Sequence, residues 1–257
     1  MGGRSSSFKY SADGRQDSQK VKYTPLIPLE QDIQTTKHLK DVNDLNKSNH
    51  QICISTDSFK EENFNPNIAK LKELNSRFNT YQKLDNENNL KIRAAKFKGN
   101  VAACFSSYGT NKKDMTIFLS DDLIYQDKKT IESLTKIQIQ SNWWSKSDQQ
   151  EMINHTLCHE YGHFVQKLII DKQLERDKVD LSNENNVNLI RSIYAKKCKR
   201  DILSICKEQF HDDNEFISRY GEKQAVEFFA EAFANLVDSK NPTNIAKATE
   251  IYIKENL

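Results

Sequence analysis

The stretch "MINHTLCHEYGHFVQKLII" at residues 152–170 is the most informative part of this sequence for predicting its fold and its functional site. Apolar residues recur in it at helical intervals, and Ser147 followed by Gln150 has the form of a capping box just before it. We therefore predict a helix over about residues 148–171. The apolar positions are Met152, Ile153, Leu157, Phe164 and Leu168.

Two histidines bracket a glutamate in the centre of this helix. His159 and His163 lie one turn apart on the same face, so both imidazoles can reach one zinc ion at about 2.0–2.1 Å. Glu160 between them projects toward a water on that ion, the geometry a metallohydrolase needs. The alternative is a solvated helix face with two unrelated histidines. The capped helix and the small Gly162, suited to close packing, favour the metal site.

His155 extends the row of histidines by one further turn. It lies roughly 12 Å from His163 along the helix axis, too far for both residues to bind one ion. We therefore expect His155 to be a helix-surface or supporting residue. Cys158 is displaced by about 100° from His159 around the helix and is not expected to share the metal.

A catalytic zinc ion also needs a third protein ligand and an open fourth position. Residues 166–176 contain no histidine, which argues against a metzincin arrangement and requires a carboxylate. Glu227 and Glu231 stand four residues apart in "VEFFAEAFANL", residues 226–236, whose other positions are almost all apolar. Acids in such a helix are costly to bury unless they are paired or bind metal. The alternative is that both face solvent while the aromatic residues face the core.

These motifs resemble a known family of proteases. "HEYGHFVQ" followed by "SRYGEKQAVEFFAEAFANLV" is similar to the catalytic domain of anthrax lethal factor and related bacterial zinc proteases, which are zincins with a glutamate third ligand. The resemblance covers about the last 110 residues, and strict matching is confined to the two motifs. The family's receptor-binding and substrate-docking domains have no visible counterpart in this sequence.

The resemblance implies a role for each site residue. His159, His163 and Glu227 would bind zinc, and Glu160 would be the general base. Tyr220 would donate a hydrogen bond to the developing oxyanion. Glu231 would orient one of the ligands.

The rest of the chain predicts a zincin-like α+β fold. Residues 90–97, 101–108 and 115–124 read as strands, and the last two are predicted to form an antiparallel hairpin. Met115–Leu123 is the candidate for the sheet edge that would pair with an extended substrate. Helices are predicted at 187–210, 222–237 and 243–256, and after Asn65–Pro66. That earlier helix would carry Ile68, Leu71, Leu74, Phe78 and Tyr81 on one face.

The predicted organisation is a polar, partly flexible N-terminal arm at residues 1–60 and a metalloprotease domain at 61–257. In that domain, a small antiparallel or mixed sheet precedes the HExxH helix, and a C-terminal helical subdomain follows. The arm is polar, broken by Pro25 and Pro28, and has few apolar anchors.

Composition limits the partners and the compartment. A net charge of +2 gives no signal for nucleic acid, and no run approaches the eighteen or so apolar residues needed to span a bilayer. The N-terminus lacks the apolar core of a secretory signal, so we expect a cytoplasmic protein, with specialised secretion or delivery into a host cell as the alternative. The cysteines are odd in number and widely spaced, which indicates free thiols. They are Cys53, Cys104, Cys158, Cys198 and Cys206.

Three interpretations of function remain open. The leading one is a zinc endopeptidase, with one zinc per chain, acting on an extended peptide or protein as an effector or mobile-element protease. The second is a phage or mobile-element regulator that cleaves a repressor, although we see neither a helix-turn-helix nor a sensor domain. The third is a non-enzymatic virion or interaction protein with a structural metal. A closed four-ligand site would favour it, but no fourth histidine or cysteine lies at ligand spacing.

Overall fold

The computed structural model describes the strands of one sheet and most of the C-terminal half of the chain. The helical positions 74 and 78 carry Leu74 and Phe78, both buried, in agreement with the helix predicted after Pro66. The other apolar positions of that helix lie outside the described residues. The described residues are 4–7, 52–54, 70, 73, 74, 77, 78, 89–95, 101–107, 114–120, 133, 136–145, 152–181 and 184–257.

Within these residues, five strands form one mixed sheet. They are β1 (Arg4–Ser7), β2 (Ile52–Ile54), β3 (Asn89–Ala95), β4 (Val101–Ser107) and β5 (Asp114–Ser120). Their order in the sheet is β1-β4-β5-β3-β2. β4 pairs antiparallel with β5 and with β1, whereas β3 lies parallel to β5 and to β2. The antiparallel β4–β5 pair confirms the predicted hairpin.

One face of β4 and β5 is part of the hydrophobic core. Apolar side chains at alternating positions point to the same side of a sheet, and here they are buried. The Phe105 ring centre lies 6.3 Å from that of Phe164, a residue of the HExxH motif's helix. The sheet therefore packs against that helix. The alternating buried residues are Ala103, Phe105, Met115, Ile117 and Leu119.

The structure shows that the predicted substrate edge is wrong. β5, which contains the described part of Met115–Leu123, has a strand on each side, β4 and β3. The edges of the described sheet are β1 and β2. The alternation of apolar residues predicts a strand correctly, but the neighbours of that strand are set by long-range pairing.

A helical stretch at residues 136–140 and four longer helices follow the sheet in the described part of the chain. The four longer helices are α1 (Met152–Arg176), α2 (Glu184–Phe210), α3 (Ala225–Asp238) and α4 (Asn244–Asn256). They confirm the predicted C-terminal helices, with α1 ending five residues beyond the predicted residue 171 (176 − 171). Ser147 and Gln150, the predicted capping box, lie outside the described residues.

The packing of α1 against α3 depends on a glycine. A β-carbon added to Gly162 would lie 3.0 Å from the Cα of Ala230 and 3.1 Å from the Cβ of Phe233. Gly162 therefore allows the two helices to approach backbone to backbone. The close packing that the sequence suggests for this glycine is with α3.

Twelve of the fourteen residues of α3 are buried, and α1, α2 and α4 all pack against it. α4 follows after Pro242 and begins at an N-cap, where the Thr243 hydroxyl accepts a hydrogen bond from the Ala246 N–H at 3.2 Å. A cap of this type contributes about 1 kcal/mol.

Two strands come from the predicted N-terminal arm. β1 and β2 lie at opposite ends of the sheet. The division of the chain near residue 60 stays a prediction. Among the described residues, no helix is both long enough and apolar enough to cross a membrane.

Candidate metal centre

Three side chains able to bind a metal converge where α1 meets α3. The Oε2 atom of Glu227 lies 3.2 Å from Nε2 of His159 and 3.3 Å from Nε2 of His163. One potential ligand atom from each residue lies within 4.8 Å of the other two. The structure thus brings together the two histidines of the HExxH motif and the first of the two acids on the downstream helix.

The two helices produce this convergence by simple geometry. His159 and His163 are one turn apart on α1, and their ring centres lie 4.9 Å apart at an interplanar angle of 85°. Glu227 lies about one turn before Ala230, the residue of α3 that meets Gly162. The close helix contact therefore sets the distance between the carboxylate and the imidazoles.

The observed distances suit a zinc ion. Tetrahedral zinc with bonds of about 2.0–2.2 Å holds neighbouring ligand atoms roughly 3.3–3.5 Å apart, close to the 3.2 and 3.3 Å found here. Nδ1 of His159 lies 2.8 Å from a Glu231 oxygen, so in the neutral ring Nδ1 carries the hydrogen. The Nε2 lone pair then faces the Glu227 carboxylate. A metal ion, or a proton on Nε2, would satisfy both of these facing acceptors.

Glu231 is fully buried beside His159. Its Oε1 accepts from His159 Nδ1 at 2.8 Å, and its Oε2 accepts from the Ser145 N–H at 2.6 Å. Glu227 is also buried, so the solvent-facing alternative for the two acids is wrong. The contacts are those by which a carboxylate fixes the tautomer and orientation of a metal-binding histidine.

The segment at residues 142–145, which we call the Trp loop, also belongs to the site and was not predicted from the sequence. Its Ser145 N–H holds Glu231, and the carbonyl of Trp143 accepts the N–H of Tyr220 at 3.0 Å. The loop therefore positions two of the predicted site residues from outside both helices. The signal was present in the sequence, because the only two tryptophans of the chain stand next to each other just before α1.

Tyr220 lies beside His159 at the candidate metal centre. Its ring centre is 5.5 Å from that of His159. Burial raises the pKa of its phenol, and the negative charge of Glu227 raises it further, so the hydroxyl stays protonated and can donate. The ammonium of Lys223 lies 5.2 Å from the centre of the Tyr220 ring and 4.3 Å from that of Trp143, and it contacts both rings through cation–π interactions.

The charges at the centre are strongly coupled. Burial alone would lower the pKa of His159, but Glu227 and Glu231 outweigh it and raise that pKa to about 10. Burial alone would raise the pKa of Glu227, but the imidazoles of His163 and His159 outweigh it and lower that pKa well below the usual range. Glu160, fully buried, adds its charge to the field acting on His159. The centre therefore favours bound positive charge.

His155 was predicted to be a helix-surface or supporting residue, and the surface position is wrong. It is fully buried, and its ring stacks on Trp144 with centres 4.6 Å apart and an interplanar angle of 27°. Nδ1 lies 3.4 Å from Asp238, and Nε2 lies 3.9 Å from Glu231. The Trp loop and α3 cover this face of α1, which the sequence of α1 alone does not reveal.

The cysteines stay outside the metal centre. The Cys158 thiol lies 3.4 Å from Asp238 and is not among the converging ligand atoms, as predicted. Cys104, Cys158, Cys198 and Cys206 are free and buried, whereas the side chain of Cys53 is outside the described set. Within the described ranges, no further histidine, cysteine, aspartate or glutamate joins the group of three.

No protein-family model matches this chain, and neither a curated protein nor a solved structure shows significant similarity to it. The resemblance to lethal factor-like proteases therefore rests on the two motifs.

Proposed function

We propose that this chain is a zinc-dependent endopeptidase that hydrolyses peptide bonds in an extended peptide or protein substrate. The observation that carries the proposal is the convergence of His159 Nε2 and His163 Nε2 on one oxygen of Glu227, at 3.2 and 3.3 Å. We further propose one zinc per chain and a zincin-type fold. The resemblance of both motifs to lethal factor-like proteases supports this assignment.

The chemistry follows from the groups around the three ligands. When bound, zinc supplies Lewis acidity, which polarises the scissile carbonyl and makes a water acidic near neutral pH. Glu160 accepts a proton from the attacking water and delivers it to the leaving amine. The Tyr220 phenol donates a hydrogen bond to the negative charge that develops on the carbonyl oxygen. Glu231 keeps Nδ1–H of His159 oriented, so that Nε2 faces the metal.

The ligand set favours an enzyme over a structural metal protein. Structural zinc sites are closed by four protein ligands, whereas catalytic sites have three and an open position. Three ligands converge in the described part of this chain. A buried glutamate next to the two histidines also suits a general base, since a structural site has no use for one.

The test combines metal binding with proteolysis. Purified protein would be incubated with a proteome, with and without a chelator, and new peptide termini identified by mass spectrometry. We expect chelator-sensitive cuts that define a consensus. We also expect Glu160→Gln to bind zinc as the native protein does and to lose proteolysis, because the amide cannot accept the proton.

A matched control is Glu222→Gln, the same substitution at an exposed acid close to Tyr220 in the chain. It should keep both zinc and activity. Full proteolysis by Glu160→Gln would overturn the general-base assignment. Failure of the native protein to bind zinc would overturn the proposed function as a whole.

A further inference from the structure

A chain of buried ionisable groups leads away from the metal centre. It starts at Glu231, whose Oε1 accepts from His159 Nδ1 and also lies 3.9 Å from Nε2 of His155. The other nitrogen of His155 lies 3.4 Å from Asp238. Asp238 Oδ1 in turn lies 3.6 Å from the ammonium of Lys70. Basic and acidic side chains alternate from Lys70 to Glu231.

The burial of these groups calls for a reason. Their exposed fractions are 0% for His155 and Glu231, 3% for Asp238 and 6% for Lys70. Each buried ion costs several kcal/mol unless it is paired. Two carboxylates alternate with two basic side chains, and Lys70 also pairs with Glu73 at 3.1 Å. Neither nitrogen of His155 makes an aligned hydrogen bond, so the ring is held by charge and by stacking on Trp144.

The state of His155 is consistent with this arrangement. Burial alone would lower the pKa of its imidazole, but the carboxylates of Asp238 and Glu231 outweigh burial and raise it. The two carboxylates on either side therefore favour the protonated ring. The Cys158 thiol also donates to Asp238 Oδ1, at 3.4 Å, which further fixes that carboxylate.

We propose that His155 and Asp238 are positioning residues for the metal centre. His155, held between Asp238 and the Trp144 ring, fixes the Glu231 carboxylate, and Glu231 sets the orientation and donor strength of His159. This inference rests on the proposed function, since it requires that His159 bind a metal.

The geometry explains why a substitution at His155 should alter metal binding. Oε1 of Glu231 lies between His155 and His159, so movement of this oxygen turns the His159 ring. Without His155, Glu231 keeps only the Ser145 N–H and His159 as its close hydrogen-bonding contacts among the described residues, and its charge loses a buried counterion. Outer partners of metal-binding histidines typically affect metal affinity by about 10–100-fold.

The experiment compares His155→Gln and Asp238→Asn with the native protein. The measurements are the zinc dissociation constant, by competition with a chromophoric chelator, and the visible absorption spectrum of the cobalt-substituted protein. We expect His155→Gln to weaken zinc binding by about 10–100-fold and to alter the cobalt spectrum. Asp238→Asn should also weaken zinc binding and alter the cobalt spectrum.

The matched control is Tyr252→Phe in α4, which removes two buried hydrogen bonds of the phenol, one accepted from Gln173 of α1 at 2.9 Å and one donated to Cys198 of α2 at 3.2 Å. It should lower the melting temperature while leaving zinc affinity and the cobalt spectrum unchanged. This control separates a general loss of stability from an effect on the metal.

The outcomes distinguish this inference from the proposed function. If the native protein binds no zinc, both fail. If the native protein binds zinc and the folded variants match it within twofold in affinity and in the cobalt spectrum, the positioning role fails and the proposed function stands. If His155→Gln does not fold, Asp238→Asn decides, because it removes the charge and keeps the shape.

Discussion

The His159 ring has a carboxylate at each of its nitrogens. Nε2 faces Glu227 at 3.2 Å and Nδ1 faces Glu231 at 2.8 Å. Both acids belong to α3, one turn apart, so the spacing that looks like a simple repeat in the sequence places them at different nitrogens of one ring. In the proposed site, Glu227 would share the metal with the ring, whereas Glu231 would orient the ring. Replacing Glu227 with glutamine should therefore have a different consequence from replacing Glu231 with glutamine.

Tyr220 offers the sharpest prediction for a single residue. Tyr220→Phe keeps the ring that packs 5.5 Å from His159 and removes only the hydroxyl. We expect kcat to fall about 100-fold, as for loss of one oxyanion donor, with an unchanged zinc dissociation constant. Steady-state kinetics on a peptide from the identified consensus would measure this.

The control for that variant is Tyr194→Phe. It removes a phenol of α2 that donates an exposed hydrogen bond to Asp177, at 2.7 Å. Its kcat should match the native value. If Tyr220→Phe kept kcat within threefold of native, Tyr220 would have no part in the chemistry.

At the scale of elements, the contact between α1 and α3 fixes the distance of Glu227 from His159 and His163. Gly162→Ala would place a β-carbon 3.0 Å from the Cα of Ala230, and because that atom is backbone, α3 must move as a unit. Glu227 would move with it. We expect weaker zinc binding and a loss of about 1–3 kcal/mol in the free energy of unfolding, even though alanine favours helix over glycine by about 1 kcal/mol.

Urea unfolding and chelator competition would measure the two effects. Lys196→Ala, at an exposed position of α2, is a control in which alanine meets no packing constraint. A Gly162→Ala protein that is more stable than native and binds zinc equally would show that the glycine does not set the helix separation.

Most of the helices and strands could be predicted from the sequence, whereas the elements that each of them packs against or pairs with could not. Apolar periodicity in the C-terminal half indicates the helices, since helical hydrogen bonds are local. The placement of β5 inside the sheet depends on pairing with β3, and the burial of His155 depends on Trp144 and Asp238. These contacts join residues of different elements, so no pattern within one element encodes them. The roles of Glu160, Tyr220 and Glu231 remain predictions.

At the scale of the molecule, the proposed metal joins two distant parts of the chain, because His159 and His163 lie on α1 and Glu227 on α3. Such a site exists only in the folded state, so zinc should stabilise the fold by mass action. With free zinc at about 100 times its dissociation constant, the gain is about 2.7 kcal/mol. For a chain of this size, that corresponds to a rise of about 5–10 °C in melting temperature.

Thermal unfolding of the chelator-treated protein, with zinc added back in steps, would measure this rise. Magnesium at the same concentrations should give none, because it prefers sites made of oxygen ligands. His163→Ala should abolish the response to zinc, since two ligands cannot hold the ion as three do. An equal rise in His163→Ala would mean that zinc binds elsewhere on the fold, and the link between α1 and α3 would then have to come from protein contacts alone.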